Sequence, residues 1–436
     1  MGVSEHGSNS RSQQKIYRDD GIEIVVEGRK KNDVCLVIPT FNSFEKTRKL
    51  IRLLHNQTFR KFDLIIVDCG SDDYKKLSNL NSKINLIFIH TEENLGGSGS
   101  YWIGSKIAYS LGYKYIILSD NDAYPVSKTL LEELINTSKK HPKWIVAPVE
   151  KSTEDQISPN EDLFFHFFIL KKEIIKNVGL PIKDYFIWGD DWEYTDRLRY
   201  FGYKPVRLLS VSYYHPLGLD KTKYGNRFYF YVRNSAINYL SYNPKKFVPT
   251  TIYKSINSLA YWCVSGINLF GIFFKGLIDA GLFKLKNMNP NVSSFYMERI
   301  EEKDIPKISE LFFVFSTRKI FNEIKRHLKG KVKLVYSGND ADIMKMLKIK
   351  NIITTRELIF SAFLPFKNLI FYDRKVRKFF ILIKPKYRRV FGCYFFLIPI
   401  ILLSVFVILV VMATYEFIGR KRRREYYKRI IFNLSF

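Results

Sequence analysis

"VCLVIPTFN", residues 34 to 42, runs an apolar segment straight into polar residues. A short apolar run of this kind reads as a strand buried on both faces, and the residues that end it, Pro39-Thr40-Phe41-Asn42, fall where a strand delivers side chains to a ligand. The same layout recurs. "FDLIIVD" (62–68), "INLIFIH" (84–90), "KYIILSD" (114–120) and "KWIVAPV" (143–149) read as four more strands. An amphipathic, Lys/Arg-rich helix near 43–57 and a Gly-led helix, "GGSGSYWIGSKIAYSLG" (96–112), lie between them. Strands alternating with helices mean βαβ units and a mostly parallel sheet. Ligands of such sheets bind beyond the carboxyl ends of the strands. The informative residues are therefore Pro39 to Asn42, Asp68-Cys69-Gly70-Ser71-Asp72-Asp73 and Asp120-Asn121-Asp122.

The 436 residues hold 70 Lys+Arg against 42 Asp+Glu, a formal charge of +28, and are 46% hydrophobic. That length accommodates two domains and more. The charge calls for an anionic partner: nucleic acid, a phosphorylated small molecule or an anionic membrane surface. Cys35, Cys69, Cys263 and Cys393 are scattered, without CxxC spacing, which points to a reducing compartment and away from structural zinc. Residues 1–31 begin polar and Ser-rich with no apolar h-region, and are expected to be a disordered tail rather than a signal peptide. Position 6 is His6, against N-myristoylation at Gly2.

"VFGCYFFLIPIILLSVFVILVVMATY" (390–415) is uncharged and long enough to span a bilayer as a helix. "KPKYRR" before it and "RKRRR" after it would attract anionic headgroups and absorb much of the positive charge. A single span is preferred to a re-entrant hairpin, because the run is too short for two crossings. Residues 224–285 look helical, and "INSLAYWCVSGINLFGIFF" (256–274) reads as a buried or interfacial helix. "LFFVFS", "KVKLVYSG", "NIITT" and "NLIFYD" suggest a small second α/β module. The expected division is a tail (1–31), a catalytic domain (32–245), a helical extension (246–289), a small α/β module (290–389), a transmembrane segment (390–418) and a basic tail (419–436).

Asp120 and Asp122 end a strand two residues apart, as a divalent cation carrying a diphosphate requires; an ordinary turn is the alternative. A second Asp-x-Asp, Asp340 and Asp342, precedes a helical stretch and reads as N-capping. Asp68 and Asp72 or Asp73 could bind base and ribose. "ENLGGSGSYW" (93–102) puts Gly96, Gly97 and Gly99 at a helix start, where backbone amides bind phosphate; no Gly-Lys-Ser/Thr follows, so this is no P-loop. His215, in "YYHPLG", could add an imidazole to a Mn²⁺-like site. "FIWGDDWEY" (186–194) crowds acids into a basic chain. Asp190 and Glu193 have capping-box spacing, Glu193 can pair with Arg197, and Asp196 with Arg199 or Tyr200. That leaves Asp191 projecting from the helix start as the carboxylate a general base requires.

Taken in order, "VIPTFN", "IIVDCGSDD", "ENLGGSGSYWIG", "LSDNDA", "FIWGDDWEYTDRLRYFGYK", "YYHP" and "FYFYVRNSAINYL" resemble the inverting family 2 glycosyltransferases of GT-A fold, most nearly their galactofuranosyl- and rhamnosyltransferase branch. The resemblance spans about residues 37 to 240. It implies an α/β, Rossmann-like GT-A domain followed by helices, the small module and the C-terminal membrane helix. It implies that Asp120 and Asp122, with His215, hold Mn²⁺ or Mg²⁺, and that Asp191 is the base, with Asp190 beside it. It places Pro39, Thr40, Asn42, Asp68, Asp72, Asn94, Gly96, Gly97 and Asp120 around the donor nucleotide. Trp188, Glu193, Arg233 and Asn234 would serve the acceptor or the framework. "DND" departs from the family's "DAD"-like wording, and Ser100-Tyr101-Trp102 stands for Gly-Gly-Phe, so the donor sugar stays open. The implied reaction is inverting transfer from a nucleotide-diphosphate sugar, of UDP-galactofuranose or dTDP-rhamnose type, to a glycan or lipid-linked glycan, with membrane lipids around the anchor and the catalytic domain in the cytoplasm. The alternatives are an inactive membrane adaptor on the same scaffold and a nucleic-acid-binding protein. The dispersed charge and the lack of an RNP1-like signature count against nucleic acid.

Overall fold

The computed structural model describes residues 14–72, 74–78, 80, 82–151, 163–216, 224–265, 269–285, 298–300, 312–315, 334–336, 368–373, 378–383 and 397–434. The chain divides into two compact units: 1–216 with 285–287 and 421–436, and 217–284 with 288–420.

The first unit is built on β1 (Gln14–Asp19), β2 (Ile22–Glu27), β3 (Val34–Thr40), β4 (Phe62–Cys69), β5 (Asn85–Thr91), β6 (Tyr115–Leu118), β7 (Tyr124–Pro125), β8 (Trp144–Glu150), β9 (Phe168–Lys171) and β10 (Lys204–Tyr214). Its helices are α1 (Phe44–Leu54), α2 (Tyr74–Ser78), α3 (Gly96–Ser110), α4 (Leu130–Lys140), α5 (Lys172–Val178) and α6 (Asp190–Tyr200). The strands form one sheet in the order β1-β2-β5-β4-β3-β6-β9-β8-β10-β7. β5, β4, β3 and β6 run parallel, as the alternating pattern predicts. Every residue of β4 is buried, which is why residues 64–67 at its centre are an apolar run rather than an alternating one. Each fully buried Leu or Ile of these strands is worth about 1.5–3 kcal/mol of removed apolar surface. The order turns over at β3, with β4 on one side and β6 on the other, so the crevice for a ligand opens beyond Thr40, Asp68 and Asp120.

The amino-terminal residues depart from the expected tail. Residues 14–27 form an antiparallel hairpin, β1–β2, and β2 extends the sheet by pairing with β5. The cause is legible: "IEIVVE" alternates buried and more exposed positions, and Asp20-Gly21 at the turn both have positive φ, as a two-residue Asp-Gly hairpin turn requires. Lys106 of α3 ion-pairs with Asp19, and Lys183 with Asp20, which fastens the turn.

The second unit contains α7 (Tyr224–Tyr242), α8 (Pro244–Ser265) and α9 (Leu269–Gly281), so 256–274 is divided between two helices. It also holds a five-stranded sheet of 298–300, 312–315, 334–336, 368–373 and 378–383, with both parallel and antiparallel pairs. "NIITT" and Asp340 and Asp342 lie outside the described residues. The apolar run is helical over Leu397–Thr414, and the helix continues, with π-type turns, through the basic cluster to Ile431. Residues 419–431 are thus helical rather than a tail. Among the described residues, 402–431 is the one helix long and apolar enough to cross a membrane.

Candidate active site

Thr40 ends β3 and faces Thr47 of α1 at 3.2 Å between hydroxyl oxygens, while the Asn121 amide donates to Thr47 at 3.1 Å. Asn42 sits in the left-handed region (φ 46°) and donates through its backbone to Ser71. Asn42 and Asp72 also bond reciprocally: Nδ2 donates to the carboxylate at 3.1 Å, and the Asp72 amide donates to Oδ1 at 2.9 Å. Pro39 is half-buried beside them. Asp68 is fully buried at the end of β4. Its Oδ2 meets His90 Nδ1 at 2.8 Å, and the His90 ring stacks on Tyr74 at 4.1 Å. The strand-end residues therefore converge, but Asp68 and the Asn42–Asp72 pair are engaged with protein groups. Asp73 lies outside the described residues.

The start of α3 meets the loop before α6. Asn94 Oδ1 accepts the Gly96 amide at 2.9 Å, and the Ser98 amide donates to the Phe186 carbonyl at 3.2 Å. Gly96 has φ +68°, and a Cβ there would stand 2.1 Å from the Phe186 oxygen, so glycine is required. Gly97 faces open space on the same turn.

Asp120 follows β6. Tyr101 donates to its Oδ1 at 2.6 Å, and its Oδ2 lies 3.3 Å from His166 Nε2 and 3.9 Å from His215 Nε2. The two imidazoles stack at 4.4 Å. Asp120, His166 and His215 each present one donor atom within 4.8 Å of the others, enough for a metal ion. His166 Nδ1 faces the Tyr213 hydroxyl at 2.8 Å, which orients the ring and turns Nε2 toward the cluster. One carboxylate and two imidazoles are a donor set that fits a transition-series dication. The expected set of Asp120, Asp122 and His215 is thus only partly reproduced. Asp122 stands beside the cluster, bonded to His215 Nε2 at 3.1 Å and to Lys46 Nζ at 2.7 Å. His166 was not predicted. "FFHFF" gives no spacing signal, and only the pairing of β9 with β6 brings it beside Asp120.

Burial acts to raise the Asp122 carboxyl, but the His215 contact and the Lys46 ammonium outweigh it and hold it below the usual range. Burial likewise opposes ionisation of Asp120, and His166 overcomes it. Burial acts to lower His215, but Asp122 and Asp120 together leave it raised.

The second acidic group behaves differently. Gly189 (φ 86°) takes the N-cap position of α6, and Asp190 is the first helical residue, so the predicted Asp190–Glu193 capping box does not form. Glu193 pairs with Arg197, as its i,i+4 spacing predicts, at 3.0 Å with both side chains buried. Asp196 pairs with Arg199 at 2.7 Å, as expected. Asp190 is buried, and desolvation lifts its carboxyl to about 6. Asp191 is half-buried and accepts the Trp192 amide at 2.8 Å. Desolvation, then the charges of Asp190 and Asp120, push it well above the usual carboxylate range. Trp188 precedes them with φ 64°. Arg233 and Asn234 belong to the second unit, where Arg233 is fully buried and donates to Asn234 Oδ1 at 2.9 Å. A cavity of about 790 Å³ lined by Lys30, Lys31, Lys61, Lys114 and Lys139 lies at the opposite, amino ends of β3 and β6, away from these carboxylates.

Residues 35–189 match the family described as "Glycosyl transferase family 2". The chain is 24% identical over 220 residues to galactofuranosyltransferase GlfT1 of Mycolicibacterium smegmatis, covering 44% of this chain and 73% of that one. It is 23% identical to the Mycobacterium tuberculosis (strain H37Rv) protein of the same name, covering 44% and 72%. Among solved structures it is similar to S. aureus TarS 1-349 in complex with UDP (TM-score 0.40, 18% identity, 56% of this chain and 80% of that one). It is also similar to mannosyltransferase PcManGT from Pyrobaculum calidifontis (TM-score 0.38, 15% identity, 59% and 77%). With a mixed α/β sheet of GT-A type beneath these carboxylates, the chain carries a family 2 glycosyltransferase domain and is a glycosyltransferase related to galactofuranosyltransferases.

Proposed function

We propose that the protein is an inverting, metal-dependent hexosyltransferase that moves a sugar from a nucleotide-diphosphate donor to a glycan or lipid-linked glycan at a membrane. The observation that carries the reading is a pair of carboxyls raised by burial, Asp190 and Asp191, within electrostatic reach of a strand-end cluster that can hold a cation. Asp120, His166 and His215 would hold the ion, and two imidazoles favour Mn²⁺ over Mg²⁺. Bound there, the cation supplies positive charge to the departing diphosphate. The open helix start at Gly97 offers backbone amides to the same anion. Asp68, Thr40, Asn42 and Asp72 line the nucleotide side. Asp191 takes the proton of the acceptor hydroxyl. That oxygen bonds to the anomeric carbon from the face opposite the leaving group, the bond to the diphosphate oxygen breaks, and configuration inverts. Asp190, one residue away, raises the basicity of Asp191 through its charge.

The relatives' names favour UDP-galactofuranose as donor, with dTDP-rhamnose the second candidate. The helix through 402–431 supports a membrane anchor: Leu402, Phe406, Leu409 and Phe417 are exposed apolar residues along it. Since nucleotide sugars are cytosolic, the catalytic domain is assigned to that side. Titrating Mn²⁺ against UDP tests the reading. Nucleotide binding that depends on the metal is expected; metal-independent or absent binding would instead favour an inactive adaptor on this scaffold. A donor screen by nucleotide release, on membranes containing the protein, then identifies the sugar.

A further inference from the structure

Residues 421–434 fold onto the first unit, behind the helix that carries Asp191. The Tyr427 hydroxyl donates to Glu193 Oε1 at 2.5 Å, and Glu193 Oε2 accepts from Arg197 at 3.0 Å. Arg197 also donates to the carbonyls of Val178 (3.2 Å) and Leu180 (2.8 Å), and its guanidinium lies 5.2 Å from the Tyr427 ring centre. Backbone contacts close the seam: the Leu180 amide donates to the Ile431 carbonyl at 2.9 Å, and the Trp102 indole to the Ile430 carbonyl at 3.4 Å. The Asp184 amide donates to the Tyr426 hydroxyl at 3.3 Å.

The segment from 183 to Asp190 is where this bracing matters. Phe186, Trp188 and Gly189 have φ of 65°, 64° and 86°. Two of the three are bulky aromatics in a conformation that persists only where the surroundings hold it. Upstream of that loop, Lys183 is held by Asp20 and the Asp184 amide by Tyr426; downstream, Glu193 is held by Arg197 and Tyr427. Asp191 lies between these anchors, two residues before Glu193 in the first turn of α6.

We propose that Tyr427 is a positioning residue for Asp191, acting through Glu193 and the first turn of α6; this rests on the reading of Asp191 as the base. It places a determinant of turnover 234 residues from Glu193, outside the family 2 domain and past the apolar run. A hydroxyl given to a buried carboxylate orients the turn that bears it, and a base displaced by a fraction of an ångström loses rate far more than binding.

The test uses the full chain in membranes. Tyr427→Phe keeps the ring over Arg197 and deletes only the hydroxyl. It is expected to lower kcat by about 10-fold or more, with KM for the donor within about twofold and little change in thermal midpoint. Tyr427→His, which returns a donor, recovers part of the loss. Ile431→Ala loosens the same seam while leaving the hydroxyl in place; it lowers the midpoint and keeps kcat. Wild-type kcat in Tyr427→Phe, no recovery in Tyr427→His, or loss of activity that merely follows stability across the set overturns the proposal. Asp191→Asn, assayed beside them, separates the two claims. If it is active, the base assignment fails; if it is inactive while Tyr427→Phe is fully active, only the positioning role fails.

Discussion

Asp120 and Asp122 stand at the end of a strand, partly open to solvent and faced by two imidazoles and the Lys46 ammonium. Asp190 and Asp191 stand at the start of a helix, the first buried and the second half-buried, and Asp191 feels the charges of Asp190 and Asp120. The first pair is held ionised below the usual carboxylate range, while the second is pushed above it, Asp190 to about 6. Four copies of one functional group thus divide into a pair suited to cation and phosphate and a pair suited to receiving a proton. Environment, not residue type, assigns the roles. Asp191→Asn breaks the comparison most severely. It removes the proposed proton acceptor without touching the strand-end cluster, so turnover should fall about 10³-fold while nucleotide binding stays within about twofold. Nucleotide release and a binding titration on the same preparation check both halves.

The acid limb of the rate profile sharpens the same contrast. A base works ionised, and its raised carboxyl loses that form as pH falls through its folded pKa. Activity should therefore decline on the acid side above the ordinary carboxylate range. Neutralising Asp190 by Asp190→Asn removes a charge that raises Asp191, so the midpoint of that limb should move to lower pH. A midpoint that stays in place, or rises, contradicts the electrostatic link between the two residues.

His166→Ala acts on the other pair. It takes one imidazole from the Asp120–His166–His215 cluster and leaves Asp190 and Asp191 alone. The metal concentration for half-maximal nucleotide binding should rise roughly 10- to 100-fold, with rate recovered at saturating Mn²⁺. Unchanged metal dependence would return the third ligand position to Asp122.

What the sequence made legible follows from how local each signal is. The parallel strands showed in β3, β4 and β5 because strands buried on both faces carry apolar runs at their centres rather than alternation. Asp120, Asp122, Asp190 and Asp191 showed because each pair is contiguous or nearly so at an element end. His166 did not show, because its partnership with Asp120 is made by β9 pairing with β6, and an isolated His among phenylalanines has no periodicity to betray it. Glu193 was legible in part. Its spacing from Asp190 suggests a capping box that does not form, its spacing from Arg197 a pair that does, and Tyr427, far along the chain, leaves no local signal. The hairpin of residues 14–27 was hidden by the polar stretch before it, although its Asp20-Gly21 turn was on view.

The smallest expected effect belongs to Lys46. Its ammonium reaches Asp122 at 2.7 Å, but the Lys46 side chain is 53% exposed, so solvent screens most of the attraction. His215, far less exposed at 21%, shares the same carboxylate at 3.1 Å and supplies the stronger hold. Lys46→Gln removes the charge and keeps the length of the chain. Metal affinity and turnover should each change by less than about threefold, and the change should shrink as salt is raised. A much larger, salt-independent loss would mean that Lys46 touches the donor itself. The strand-end pair would then be a phosphate site shared between a cation and an ammonium group, and its contrast with the helix-start pair would lie in what it binds as much as in how it ionises.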